Sequence, residues 1–176
     1  SSFCSFWAMV SRGPERSPSR HGAPGRLLEL TVDSVAFGGD GVARHQGLVV
    51  LVEGGLPGER VRARMTRRSR NFARAQVEEI LSPSSSRVPV PCLHFPECGG
   101  CAYQALDYSV QPCVKRRQVA DLLERVGRFP APPVAPALAP SEPFHYRSRM
   151  TYGLPLRKDS GPGLHLRGVS GGSLEV

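Results

Sequence analysis

Between residues 27 and 81 the chain runs in short strand-like segments, several of which alternate apolar with polar side chains, and glycine or proline separates most of them. Period-two alternation puts one side of a strand in a core and the other in water. Residues 60–65 and 72–81 fit that pattern, 27–37 fits it in part, and 41–44 and 47–52 pair naturally as strands around His45-Gln46-Gly47. The turns between them are Gly38-Gly-Asp-Gly41, His45-Gln46-Gly47 and Leu56-Pro-Gly-Glu59. About five short strands in about 55 residues, with no helix among them, are most economically closed into a small barrel of the oligonucleotide-binding type. The expected fold class is therefore mainly β: a five-stranded OB-like barrel, then a cysteine loop with one helix, then the start of an α/β domain.

The rest of the chain divides by composition. Residues 1–24 form a Ser-, Arg- and Pro-rich arm, read as disordered in preference to a transit peptide. Met9 is a possible natural start, and Cys4 in the arm carries no expected role. The barrel spans 25–83 and ends at Ser82-Pro-Ser-Ser-Ser-Arg87. A cysteine loop and helix occupy 88–127. The helix is expected over 108–126, with Ser109 as its cap and Pro112 in its first turn, where a missing N–H costs little. Val119, Leu122, Leu123 and Val126 fall at helical spacing and form its expected buried stripe. Residues 128–144 read as an extended proline-alanine linker. Residues 145–176 alternate like strands (146–156 and 163–167) but are too few for a domain, and are read as a truncated element.

The net charge of +8 calls for an acidic partner, nucleic acid before a membrane surface. No apolar run approaches the roughly 20 residues needed to span a bilayer. Positive charge is densest just after Gly58, at Arg60, Arg62, Arg64, Arg67, Arg68, Arg70 and Arg74. Guanidinium groups neutralise phosphates well, and Phe72 at the tip of this hairpin can stack on a base. A solvated charged face is the competing reading, weakened by the scarcity of local acids: Glu59, Glu78 and Glu79. Such a surface grips the backbone and reads shape, not sequence. Gly38-Gly-Asp-Gly41 is a turn and not a phosphate loop, since no Lys-Ser/Thr follows it.

Five cysteines, an odd number and clustered, suit a reducing, cytoplasmic setting better than a disulfide scaffold. Cys92, Cys98 and Cys101 stand as Cys-x5-Cys-Gly-Gly-Cys, close enough to converge on one inorganic centre. The glycine pair turns tightly and leaves amides free to point at sulfur. Two fourth ligands compete. A zinc site would take Cys113, although that residue lies in the expected helix and the spacing lacks the usual paired Cys-x2-4-Cys. An iron–sulfur cluster tolerates a distant fourth cysteine, which would lie beyond Val176. His94 is a conceivable ligand, more often a packing or solvent-facing residue.

The chain resembles the RNA uracil-5-methyltransferases of the TRAM-containing, iron–sulfur type. The resemblance rests on Gly38-Gly-Asp-Gly-Val-Ala-Arg44, Leu56-Pro-Gly-Glu-Arg-Val61, Cys92-x5-Cys98-Gly-Gly-Cys101-Ala-Tyr-Gln104, Tyr108, Gln111, Lys115 and Tyr146-Arg147, in that order. It implies a TRAM barrel holding RNA (ribosomal or transfer RNA) and a [4Fe-4S] loop ligated by Cys92, Cys98 and Cys101. It also implies a Rossmann-like domain binding S-adenosylmethionine, expected only in a full-length parent. In that family a cysteine attacks C6 of uracil and the methyl group goes to C5. No nucleophile, catalytic residue or S-adenosylmethionine-binding turn is assigned within residues 1–176. The rival functions are a stand-alone RNA-binding module without catalysis and a zinc-binding adaptor.

Overall fold

The computed structural model describes residues 25–146, 148 and 149, together with the strands Gly163–His165 and Ser173–Glu175. The basic arm and most of the alternating segment 146–156 lie outside the described residues. Five strands close into a barrel: β1 (Leu27–Val35), β2 (Gly41–His45), β3 (Leu48–Glu53), β4 (Arg60–Arg68) and β5 (Phe72–Ser82). Around the barrel the order is β1-β2-β3-β5-β4, with β3 and β5 parallel and every other described pair antiparallel. The parallel β3–β5 pair is what closes the ring, because β4 must return along β1 before β5 reaches β3.

Alternation fixes the interior. Leu28, Leu30 and Val32 point inward from β1, Val50 and Val52 from β3, Val61, Ala63 and Met65 from β4, and Ala73 and Ala75 from β5. Small alanines on three strands leave room for Met65 and the branched residues, which a tapering small barrel needs. The β4–β5 ladder slips register at Arg60/Val61, Arg62/Ala63 and Met65/Arg67. Such irregularities bend and twist a strand pair, and here they let two long strands wrap the core. Gly41 sits where a Cβ would come within 2.7 Å of the Gly55 carbonyl oxygen, so the start of β2 can press against the turn after β3.

A second core caps one end of the barrel. Val35 and Leu56 from the barrel pack with Ala105, Leu106 and Val114 from the cysteine loop and helix, and Val90, Phe95, Tyr103 and Val110 lean on them. The helix, α1, runs Gln111–Arg125, starting three residues later than expected. Ser109 does not cap it. The Asp107 carboxylate accepts hydrogen bonds from both the Ser109 amide (2.8 Å) and its hydroxyl (2.7 Å), so that hydroxyl serves a turn before the helix. These bonds hold the Asp107 carboxyl below the ordinary carboxylate range.

The expected buried stripe is also displaced. Val119, Leu122, Leu123 and Val126 are 42–77% exposed, while Val114 and Gln118 are the buried residues of α1. Only the first half of the helix docks on the barrel, and periodicity cannot say which end of a helix finds a partner. The linker after α1 has no helix or strand among residues 128–144, and is tied back by Arg116 Nε to the Val134 carbonyl (2.8 Å) and by the Tyr108 hydroxyl to the Pro140 carbonyl (2.9 Å). Strands β6 (Gly163–His165) and β7 (Ser173–Glu175) pair as an antiparallel hairpin. No helix among the described residues is long and apolar enough to cross a membrane.

Candidate nucleic-acid interface and cysteine loop

The seven hairpin arginines do not act as one patch. Along β4, Arg60, Arg62 and Arg64 face outward between buried Val61, Ala63 and Met65. Register sets Glu29 of β1 beside Arg62, and Glu79 of β5 on its other side. Arg62 contacts Glu29 (3.4 Å) and Glu79, Arg60 reaches Glu29 (3.8 Å), and Arg64 binds Glu78 and the Gly25 carbonyl (3.1 Å). Three guanidinium groups therefore face three carboxylates, and this side of the barrel is electrically balanced. The bond to Glu78 raises the Arg64 pKa.

At the far end of the hairpin the balance disappears. Arg67, Arg68 and Arg70 are exposed and have no ion pair among the described residues. The tip is closed by the Ser69 amide donating to the Phe72 carbonyl (2.9 Å). Phe72 is half-buried, opposite Val49 of β3. Arg74 follows on the same outer face and pairs with Asp40 at 3.3 Å. Arg44, exposed on β2 opposite Val49, adds a cation that the sequence reading missed; its outward place in β2 was the available signal.

Glu59 has a different role from the other acids. It is 0% exposed. Its carboxylate accepts from the Leu56 amide (2.9 Å), the Ser84 amide (3.3 Å) and Arg87 Nε and Nη2 (2.6 and 2.9 Å). Burial pushes this carboxyl up, but the Arg87 and amide bonds outweigh burial and leave its pKa below the ordinary range. Arg87 also donates to the Gly54 carbonyl (2.7 Å). The Leu56-Pro-Gly-Glu59 turn, the exit from β5 and the approach to the cysteine loop are thus locked by one ion pair.

The cysteine loop is a run of turns lying on the capped end of the barrel. The Phe95 amide donates to the Cys92 carbonyl (3.3 Å), the Cys98 amide to the His94 carbonyl (2.8 Å) and the Gly100 amide to Cys98 Sγ (3.3 Å). Cys92, Cys98 and Cys101 are free; the first two are half-buried and Cys101 is exposed. Cys113, on α1, is not among the free cysteines. Three thiols with an amide aimed at sulfur are the right kind of donors for a soft metal or a cluster. Their arrangement is not: among the described residues no three His, Cys, Asp or Glu side chains are grouped to hold a metal ion. The donors fit an iron–sulfur group in chemistry and not in placement.

Two contacts fasten this loop to the barrel. Gly39, at φ +94°, lies so near the loop that a Cβ would stand 2.6 Å from the Ala102 carbonyl oxygen. Gln118 Nε2 donates to the Val35 and Ala36 carbonyls (3.1 and 2.9 Å), while its Oε1 accepts from the Tyr103 hydroxyl (3.1 Å). Gln111 Nε2 donates to the Tyr103 and Leu106 carbonyls (3.1 and 2.9 Å), and Lys115 Nζ stands 5.7 Å from the Tyr103 ring centre.

Residues 23–77 match the TRAM domain family. The chain is 38% identical over 130 residues to an uncharacterized RNA methyltransferase of Thermosynechococcus vestitus, covering 74% of this chain and 29% of that protein. It is 42% identical over 123 residues to the 23S rRNA (uracil(1939)-C(5))-methyltransferase RlmD of Bordetella avium, covering 69% of this chain and 26% of that protein. An uncharacterized RNA methyltransferase of Gloeobacter violaceus is 36% identical over 143 residues, covering 78% of this chain and 31% of that protein. The chain spans less than a third of the length of these curated relatives. The chain thus contains a TRAM domain and, over more than two thirds of its own residues, is similar to proteins named RNA methyltransferases.

Proposed function

We propose that residues 1–176 are the RNA-holding part of an S-adenosylmethionine-dependent RNA uracil-C5 methyltransferase. The observation that carries this reading is the uncompensated tip of the β4–β5 hairpin, Arg67, Arg68 and Arg70 with Phe72, on a barrel of the TRAM family. The tip takes phosphates, and Phe72 offers a ring to a base. Arg60, Arg62, Arg64 and Arg74 contribute less, because each must give up a carboxylate before it meets a phosphate. The activity for which the Bordetella avium relative is named supports uracil C5 as the methylated atom.

Cys92, Cys98 and Cys101 are the thiols this chain offers to a [4Fe-4S] cluster. The three free thiols and the Gly100 amide on Cys98 Sγ support this reading. Loading requires the loop to draw its sulfurs together, and no catalytic step is assigned to it. Anaerobic reconstitution of the full-length protein, read by iron content and visible absorption, tests it: colour and iron are expected, and their loss in Cys98→Ser. A colourless, iron-free product would overturn it.

RNA holding is tested by fluorescence anisotropy with a labelled single-stranded oligonucleotide across a salt series. Three phosphates neutralised by the tip predict a slope of log K against log salt of about −2. A flat line would overturn the reading.

A further inference from the structure

A cavity of about 250 Å³ opens at the seam between the barrel and the cysteine loop. Phe95, Pro96 and Tyr103 of the loop form one side and Val77 of β5 the other, with Glu53 and Gln76 also lining it. Its size falls just below the roughly 300 Å³ at which sites for drug-sized ligands begin, so it suits one flat ring and not a whole nucleotide cofactor. Its chemistry is unsuited to phosphate. The one guanidinium in its lining, Arg87, is spent on Glu59 and the Gly54 carbonyl, and Glu53 adds a negative charge.

The position of this cavity relative to the arginines matters. Phe72, Arg74 and Gln76 all face outward from β5, since Ala73 and Ala75 between them are buried. Four residues of strand span about 13 Å, so a nucleic-acid strand held at the tip reaches the cavity within a few nucleotides by following one edge. Glu53 and Gln76 are register partners across the β3–β5 pair. No hydrogen bond or ion pair to either side chain is found among the described residues. A carboxylate beside a carboxamide offers an acceptor next to a donor and acceptor, which matches a base edge carrying an N–H flanked by carbonyls. The Tyr103 ring is already fixed by its hydroxyl bond to Gln118, so little ordering is needed when a base enters.

We infer that this seam cavity takes one unpaired, uracil-type nucleobase from the RNA strand that the hairpin tip holds. The inference rests on the RNA-holding reading above and adds a base-reading site to it. Insertion needs a base free of pairing, so single-stranded or looped RNA is the substrate class and a continuous duplex is not.

Photo-crosslinking of the 176-residue chain to an oligonucleotide carrying 4-thiouracil tests the site, with the adducts mapped by mass spectrometry. Adducts on residues 95–103 are expected. Gln76→Trp, an exposed strand position that accepts an aromatic ring, should block the mouth and remove them while leaving the salt slope unchanged. Replacing the base by 3-methyluracil, which lacks the N–H, should weaken binding by at least about fivefold in the native chain and not in Glu53→Ala, which lacks the acceptor. Adducts confined to residues 66–74, or persisting in Gln76→Trp, would overturn the cavity while leaving RNA holding intact. Loss of all salt-dependent binding in the native chain would instead overturn both.

Discussion

The buried carboxylate of Glu59 ties the Leu56–Glu59 turn to Ser84 and Arg87 beyond β5. Glu59 was read in the sequence as the last position of a turn and as one of few acids near the arginines. Its burial depends on Ser84 and Arg87, which are 25 and 28 residues away, and nothing local announces them. Removing one member of a buried, hydrogen-bonded pair leaves the other uncompensated, so Glu59→Gln is expected to cost about 3 kcal/mol in chemical unfolding. The same pair fixes a pH dependence. The folded pKa of Glu59 is lowered, so its contribution is fully present above the unfolded value of about 4.3 and is lost as pH falls through the folded value. Thermal melts below pH 4 should show this loss in the native chain and show less of it in Glu59→Gln. Gly39 is a second single-residue control point. Gly39→Ala meets both a positive φ and the Ala102 carbonyl, and is expected to destabilise the fold by about 2 kcal/mol.

The five barrel strands were legible because most of their inward positions carry apolar residues and Gly or Pro turns separate most of them. Alternation also exposed the arginine face. It could not show which arginines are spent. Glu29 lies more than thirty residues before Arg62 and reaches it only through the β1–β4 register, so a local count of acids misses it. Helix α1 shows the opposite limit. Its apolar spacing was real, but docking is decided by Gln118 reaching the Val35 and Ala36 carbonyls, and a buried glutamine gives no periodic signal. Gln118→Ala leaves those carbonyls and the Tyr103 hydroxyl without their partner, and is expected to cost about 2 kcal/mol. Faster amide exchange in α1 than in the barrel would report the detachment, whereas equal protection of both would contradict this role.

At the scale of the whole molecule, the barrel and the cysteine loop share a core, and the two most distinctive sequence motifs touch where Gly39 meets Ala102. Asp40, next to Gly39, holds Arg74 on the outer face of β5. The RNA-facing edge and the thiol-bearing loop are therefore placed by one set of contacts. The thiols themselves were legible as a donor set, and their separation was not, because sequence spacing sets only an upper limit on how far apart loop residues stand.

The central claim is that charge compensation, not arginine count, decides where this barrel holds RNA. It is tested most directly by comparing two variants that lose the same formal charge. Arg67, Arg68 and Arg70 are changed to glutamine in one, and Arg60, Arg62 and Arg64 in the other, and oligonucleotide affinity is followed across a salt series. The account predicts that the tip variant loses most of the salt slope of about −2, while the β4 variant keeps it to within about 0.7, the share of one phosphate. Equal losses in the two variants, or a larger loss in the β4 variant, would contradict it.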